Sequence, residues 1–193
     1  MRSFGLVIGV AVALAVVPAA ATAKIAPANA CAQRGEKIEA NASARVFSYY
    51  KGAHPRVYGC VYGQKPRFLG RYNLHPTPVP NATMLLDGLV LHGRLATISK
   101  EACGPTTGGG CTERVKTIDL GSGAITRAAH GFGGRPNVVT APDGSFAFGL
   151  LRGRGGEAIV GAGPHGARVL DQAATGIDIW SLKLGANLTA TWH

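Results

Sequence analysis

Between Thr112 and Gly153 the chain runs twice through strand, tight turn and strand, and this limits the fold more than anything else in it. Val115, Ile118 and Leu120 lead into Gly121-Ser122-Gly123, and Ala124-Ile125-Thr126 follow. Val138-Val139-Thr140 then leads into Pro142-Asp143-Gly144-Ser145, with Phe146, Phe148 and Leu150 beyond. Tight hairpin turns need positive φ, so glycine and Asp-Gly between β-rich runs predict hairpins. Phe146 and Phe148 stand two apart and share one side of their strand, as do Ile118 and Leu120. Both pairs are expected to lie buried between sheets.

The same short β-rich runs recur along the chain. They are Arg45–Tyr50, Arg56–Tyr62, Arg67–Tyr72, Met84–Leu91 around Asp87-Gly88, Leu95–Ser99, Glu157–Val160, Ala167–Leu170, Ile177–Leu184 and Leu188–Trp192. Pro76, Pro78 and Pro80 break any regular element between the third and fourth runs. No window carries a helical stripe of apolar residues, although residues 36–44 read as a candidate short helix. Runs spaced about ten residues apart with turn signals predict an all-β, antiparallel protein. Val46, Leu95, Phe146 and Leu188 open similar strands at intervals of about 40–50 residues, the length of one propeller blade.

Ile118-Asp119-Leu120-Gly121-Ser122-Gly123 is similar to the D-L-x-[ST]-G turn between outer strands of bacterial propeller blades. Ala141-Pro142-Asp143-Gly144-Ser145-Phe146 resembles the turn of TolB-like, WD-type propeller repeats, and Ile179–Gly185 followed by Leu188–Trp192 is similar to an inner hairpin. From about residue 44 to 192 the chain therefore resembles secreted bacterial β-propeller proteins, many without an assigned function. The resemblance implies blades of antiparallel sheet over residues 44–193. About three and a half units are present, where complete propellers have at least about four. An open curved stack, a ring completed by a partner and a shortened gene are the readings this leaves.

Met1-Arg2, an apolar run from Phe4 to Val17, Pro18 and Ala21-Thr22-Ala23 have the layout of a secretory signal peptide over residues 1–23. The run is shorter than the ~20 residues of a spanning helix, the alternative being an uncleaved anchor. Residues 24–43 read as a small, polar leader. The expected location is secreted or in the cell envelope, with no transmembrane segment after cleavage. Four cysteines in an exported chain predict two disulfides. Cys103 and Cys111 flank a flexible glycine-rich loop and pair most simply with each other, which leaves Cys31 for Cys60. No C-x2-C pair supports a metal knuckle instead.

The net charge of +10 is scattered from Lys24 to Lys183, with no run of five like charges, so no nucleic-acid arm is indicated. Tyr50, Arg56, Tyr58, Tyr62 and Arg67 crowd the first repeat, among Tyr49, Tyr72, Arg45 and Arg71. Alternating aromatic and basic residues form a candidate face for an anionic ligand. The competing reading is cross-strand tyrosine packing with the cations in solvent.

Glu157–Gly166 contains Gly-Ala-Gly-Pro-His-Gly, and Gly161, Gly163 and Gly166 fit the G-x-G-x-x-G pattern. It resembles the phosphate-binding turn of flavoproteins. That motif works only inside a βαβ unit, and too little chain follows to build one. A hairpin turn with positive φ at Gly163 is the preferred reading. The six histidines show no metal-ligand spacing, Ser122 and Ser145 fit no nucleophile elbow, and Asp87, Asp119 and Asp143 read as turn-capping acids. No catalytic residue, metal or cofactor is therefore assigned. The sequence reads as an exported, non-catalytic binding or scaffold protein for a protein or extracellular polymer. Flavin binding at the glycine turn and electrostatic binding of acidic envelope polymers are the alternatives.

Overall fold

A computed structural model describes residues 31, 35–49, 55–71, 85–103, 111–132, 137–152, 156–173, 176–185 and 188–193. Residues 1–30 and 32–34, which take in the stretch read as a signal peptide and half of the stretch read as a leader, lie outside the described residues, as do Tyr50, Tyr72, His54 and His75. The described chain is all-β and forms four antiparallel sheets. The first is β1 (Glu36–Ala40), β2 (Ala44–Tyr49), β3 (Arg56–Val61) and β4 (Arg67–Arg71). The second is β5 (Leu85–His92), β6 (Leu95–Cys103), β7 (Cys111–Asp119) and β8 (Ile125–Phe132). The third is β9 (Val138–Thr140), β10 (Phe146–Arg152), β11 (Gly156–Gly163) and β12 (Gly166–Ala173). A two-stranded sheet of β13 (Lys183–Leu184) and β14 (Ala190–Thr191) comes last. Each large sheet is a simple meander, its strands in sequence order. Val46, Leu95 and Phe146 all fall on the second strand of their sheet. No sheet closes on itself among the described residues.

Alternation along the strands explains the stacking. Val46, Val57 and Leu69 of the first sheet pack against Ile98, Ile118 and Leu120 of the second. Val115 and Ala129 use the opposite face of the second sheet and pack against Phe146, Phe148, Leu150 and Val160 of the third. Ala147 and Ile159 point out of the other side of the third sheet onto Ile177 and Leu182 of the C-terminal segment. Both pairs singled out in the sequence are buried: Phe146 and Phe148 are each 0% exposed, with ring centroids 6.1 Å apart, and Ile118 and Leu120 lie in the neighbouring seam.

Polar groups bridge each seam. Arg67 donates from Nε to Leu120 O at 2.8 Å and from Nη2 to Gly121 O at 2.5 Å, joining the first sheet to the β7–β8 turn. The buried Thr117 hydroxyl donates to Gly144 O at 2.7 Å and meets Thr97 Oγ1 at 2.8 Å. His92 Nε2 lies 2.9 Å from Thr140 Oγ1. The turns are capped by their own acids. Asp119 Oδ1 accepts from the Gly121 and Ser122 amides, and its Oδ2 pairs with Arg94 at 2.9 Å. Asp143 accepts from the Ser145 amide and hydroxyl.

Four local expectations are corrected. Residues 36–40 form the strand β1, not a helix; Lys37 pairs with Phe47 and Ala40 with Arg45. Once β2 offers a free edge, ladder bonds and burial outweigh helix propensity in so short a segment. Asp87-Gly88 sits inside β5 as a bulge and makes no turn. The run Ile177–Leu184 is not one strand. Asp178 accepts from the Trp180 amide and caps a 3-10 turn over Ile179–Ser181, so only Lys183–Leu184 pairs as strand. Leu188, read as opening a strand, instead has a φ of 58°, and pairing begins at Ala190.

Truncating Phe148 to Ala should cost about 3–5 kcal/mol, the sum of lost burial and a cavity between the second and third sheets. Urea unfolding of the variant beside wild type measures it, and coincident midpoints would reject the stacked-sheet core.

Candidate functional site

The outer face of the first sheet carries a cluster of aromatic and basic side chains. Cross-strand register puts Lys37, Phe47, Tyr58 and Phe68 in one row across four strands. The next row is Tyr49, Arg56 and Arg71. The rings touch throughout. Phe47 stacks on Tyr58 at 5.9 Å, Tyr58 meets Phe68 at 5.6 Å, and Tyr49 meets Phe47 edge-on at 5.7 Å. Such contacts are worth about 0.5–1.5 kcal/mol each beyond area burial, so the row is rigid.

One end of the row is sealed. Cys31 is disulfide-bonded to Cys60 and buried with Phe47. The Arg45 guanidinium lies 5.5 Å from the Phe47 ring centroid and donates to Cys31 O and Gly35 O. The other end is open. Tyr49 is 36% exposed and Phe68 56% exposed, and Arg56 and Arg71 stand in solvent beside them. The arrangement offers flat apolar rings flanked by two guanidinium forks.

Of the five residues proposed for a ligand face, Arg56 and Tyr58 lie together here. Tyr62 sits 37% exposed in the turn after β3, and its amide bonds Ser43 O. Arg67 belongs to the seam with the second sheet, on the other side of β4 from Phe68. Tyr50 lies outside the described residues. Phe47, Phe68, Tyr49 and Arg71 complete the row. Their spacing signalled only a strand, because which face stays uncovered depends on how the sheets stack.

The expected Cys31–Cys60 bridge is present. Cys111 is also disulfide-bonded, and Cys103 is its register partner across β6 and β7. The Cys103 side chain itself lies outside the described residues.

The glycine turn is strand-turn-strand. Gly163 pairs with Gly166 across Pro164-His165, and β11 and β12 run antiparallel. The helix start that a phosphate-cradling turn requires does not occur there. Positive φ belongs to Gly166, at 101°, and not to Gly163. Gly161 instead makes room for neighbours, while a Cβ on Gly163 would meet only ordinary contacts. A Cβ on Gly161 would stand 2.8 Å from Leu170 Cδ1 and 3.2 Å from Leu188 Cδ1, and one on Gly163 would stand 3.5 Å from Leu188 Cδ2.

Among the described residues no group of three or more His, Cys, Asp or Glu side chains is placed to hold a metal. No helix among them is long and apolar enough to cross a membrane. Burial pushes the Asp143 carboxyl up, but the Ser145 hydrogen bonds and the Arg127 charge hold it below the usual carboxylate range. That marks a capped turn. No protein-family model, curated protein or solved structure matches this chain. The fold therefore defines its class: an all-β protein of stacked antiparallel meanders.

Two substitutions separate Gly163 from the turn glycine. Gly166→Val should lose about 1–3 kcal/mol, because a branched side chain resists that backbone conformation. Gly163→Ala should melt within a few degrees of wild type, because its Cβ meets only ordinary contacts. Calorimetry on both variants is the check, and equal losses would contradict the hairpin geometry.

Proposed function

We propose that this is an exported, non-catalytic binding or scaffold protein built of propeller-like blades in an open stack. Its ligand is an anionic extracellular polymer of sugar rings, of the polyuronate kind, held on the outer face of the first sheet. The observation that carries the reading is the open aromatic row flanked by Arg56 and Arg71. Aromatic faces stack on the apolar faces of sugar rings, and guanidinium forks take carboxylates in bidentate fashion. The net charge of +10, or +9 once a leader containing Arg2 is removed, draws a polyanion to the surface, and the rings supply what long-range charge lacks, a contact that salt does not screen. The blade reading rests on three successive meanders whose second strands carry the repeated sequence positions. Export is supported by the signal-like first 23 residues and by the Cys31–Cys60 disulfide, since such bonds persist in oxidising compartments.

Intact-mass analysis of the secreted protein should give a chain that starts near Lys24 and takes up no alkylating reagent before reduction. A retained leader or a labelled thiol contradicts export by this route.

Titration with a defined polyuronate should show binding that persists at about 0.15 M salt. The Phe68→Ala and Arg56→Ala variants should each weaken it by roughly three- to tenfold while melting like wild type. Complete loss of binding at that salt, or variants that bind as wild type does, would reject this face as the site.

A further inference from the structure

A second surface is incomplete in a different way, at a strand edge. In the second sheet the order β5-β6-β7-β8 leaves one backbone edge of β8 without a partner strand among the described residues. Most of the other edge strands of the four-stranded sheets are blunted. β1, β4 and β12 shift register through a bulge within the strand and β9 has only three residues, while β5 shifts near its start. β8 shifts only near its start and then pairs regularly with β7 from Arg127 to Phe132. Neither proline nor acid interrupts that stretch. Straight, unprotected edges are what proteins ordinarily avoid, because they accept another strand.

Two hollows adjoin this edge, and Ala128, Ala129, His130 and Phe132 border each of them. The first, about 670 Å³, lies toward the third sheet; Leu150 and Val160 form its floor, and Arg168 and Val169 one wall. Gly131 allows the close approach there, since a Cβ at that position would overlap Leu150. Phe132 is 64% exposed and Val169 49% exposed beside this hollow. The second, about 580 Å³, is bordered by Arg114 and Lys116. Lys100 stands opposite Arg114 on the next strand, and burial together with the Lys116 charge pushes its ammonium below the ordinary value. Among the described residues no carboxylate borders either hollow.

We propose that the outer edge of β8 takes up an extended peptide of alternating acidic and apolar residues as an additional strand of the second sheet. An added strand sends successive side chains to opposite faces. Apolar residues then enter the hollow floored by Leu150 and Val160, and acidic residues meet Arg114, Lys116 and His130. Main-chain bonds to β8 supply sequence-independent affinity, and the two unlike hollows supply the preference for alternation. This inference is independent of the polymer site on the first sheet.

The experiment uses the full mature protein and a fluorescent peptide of alternating Asp and Leu, with binding read by anisotropy. Two further peptides carry N-methyl groups on alternate amides, one set for each face of the peptide backbone. One should bind at least about tenfold more weakly, and the other close to the parent. A peptide with its acids and leucines in separate blocks should also lose roughly tenfold, as should the parent peptide on Arg114→Ala/Lys116→Ala. Hydrogen exchange should slow at β8 amides on binding. The proposal is overturned if the parent does not bind, if both methylated peptides bind as it does, or if protection appears away from β8. Should the double variant unfold, the methylated pair and the exchange pattern on wild-type protein still decide.

Discussion

Every sheet in the middle of this molecule is apolar on both faces, and the rest of the structure follows from that. In the third sheet, Phe146 and Phe148 point one way and Ala147 and Ile159 the other. In the second, Ile98 and Ile118 face the first sheet while Val115 and Ala129 face the third. A sheet of this kind is stable only with a neighbour on each side. The hydrophobic term therefore builds a row of sheets and cannot stop at a two-layer sandwich. It does not by itself fix how the sheets rotate against each other. The threads across each seam do that: Arg67 onto the β7–β8 turn, and Thr117 onto the Gly144 carbonyl. Both threads are buried or half-buried, so losing one partner would strand a polar group away from water, at about 1–3 kcal/mol.

A stack also has two ends, and the chain treats them differently. At one end the C-terminal segment folds back as a cover. Ile177 and Leu182 fill the face of the third sheet, the Ile177 amide donates to Glu157 at 2.7 Å, and Trp192 Nε1 donates to Asp171 at 3.0 Å. Leu188 packs beside Gly161 and Gly163 in a left-handed conformation that costs a leucine about 1–2 kcal/mol, which this packing offsets. At the other end the Cys31–Cys60 disulfide and Arg45 cover Phe47, while Tyr49 and Phe68 are exposed.

Strand existence was legible in the sequence because short β-rich runs bounded by turn signals mark strands, and β2, β3, β7 and β10 are such runs. The Asp-Gly and Gly-Ser-Gly turns were legible for the same local reason. What failed to show was set by neighbours. β1 is a strand because β2 presents an edge to it, and nothing in Glu36–Ala40 itself demands that. Asp178 converts an apolar, strand-like run into a capped 3-10 turn through one hydrogen bond. The glycines of the Gly-Ala-Gly-Pro-His-Gly run match a ligand-binding pattern. Only Gly161 makes room for leucines, Gly163 would carry a Cβ at ordinary contact distance, and only Gly166 needs its backbone freedom. At the candidate site, alternation foretold that Tyr58 and Arg56 share a strand face. Phe68 and Arg71 joined them only once the register of β4, bulge included, was known.

Charge bears on what meets the open aromatic face. Closing the stack into a ring by the chain alone would lay the last, two-stranded sheet over Lys37, Arg56 and Arg71. Unpaired cations buried in such a seam cost several kcal/mol each, unless the facing strands carry carboxylates. The paired residues of that last sheet are Lys183-Leu184 and Ala190-Thr191, which bring no acid and one more cation. Where hydrophobic closure would need neutral or acidic side chains, this face repels its nearest internal candidate. A carboxylate-bearing ligand meets the opposite balance. It keeps the arginine forks hydrated at the rim, pairs them with its own charges, and removes from water only the rings already ordered by their mutual contacts. In the polymer-binding reading proposed above, the charges that disfavour laying the last sheet over this face are the ones an anionic polymer would use.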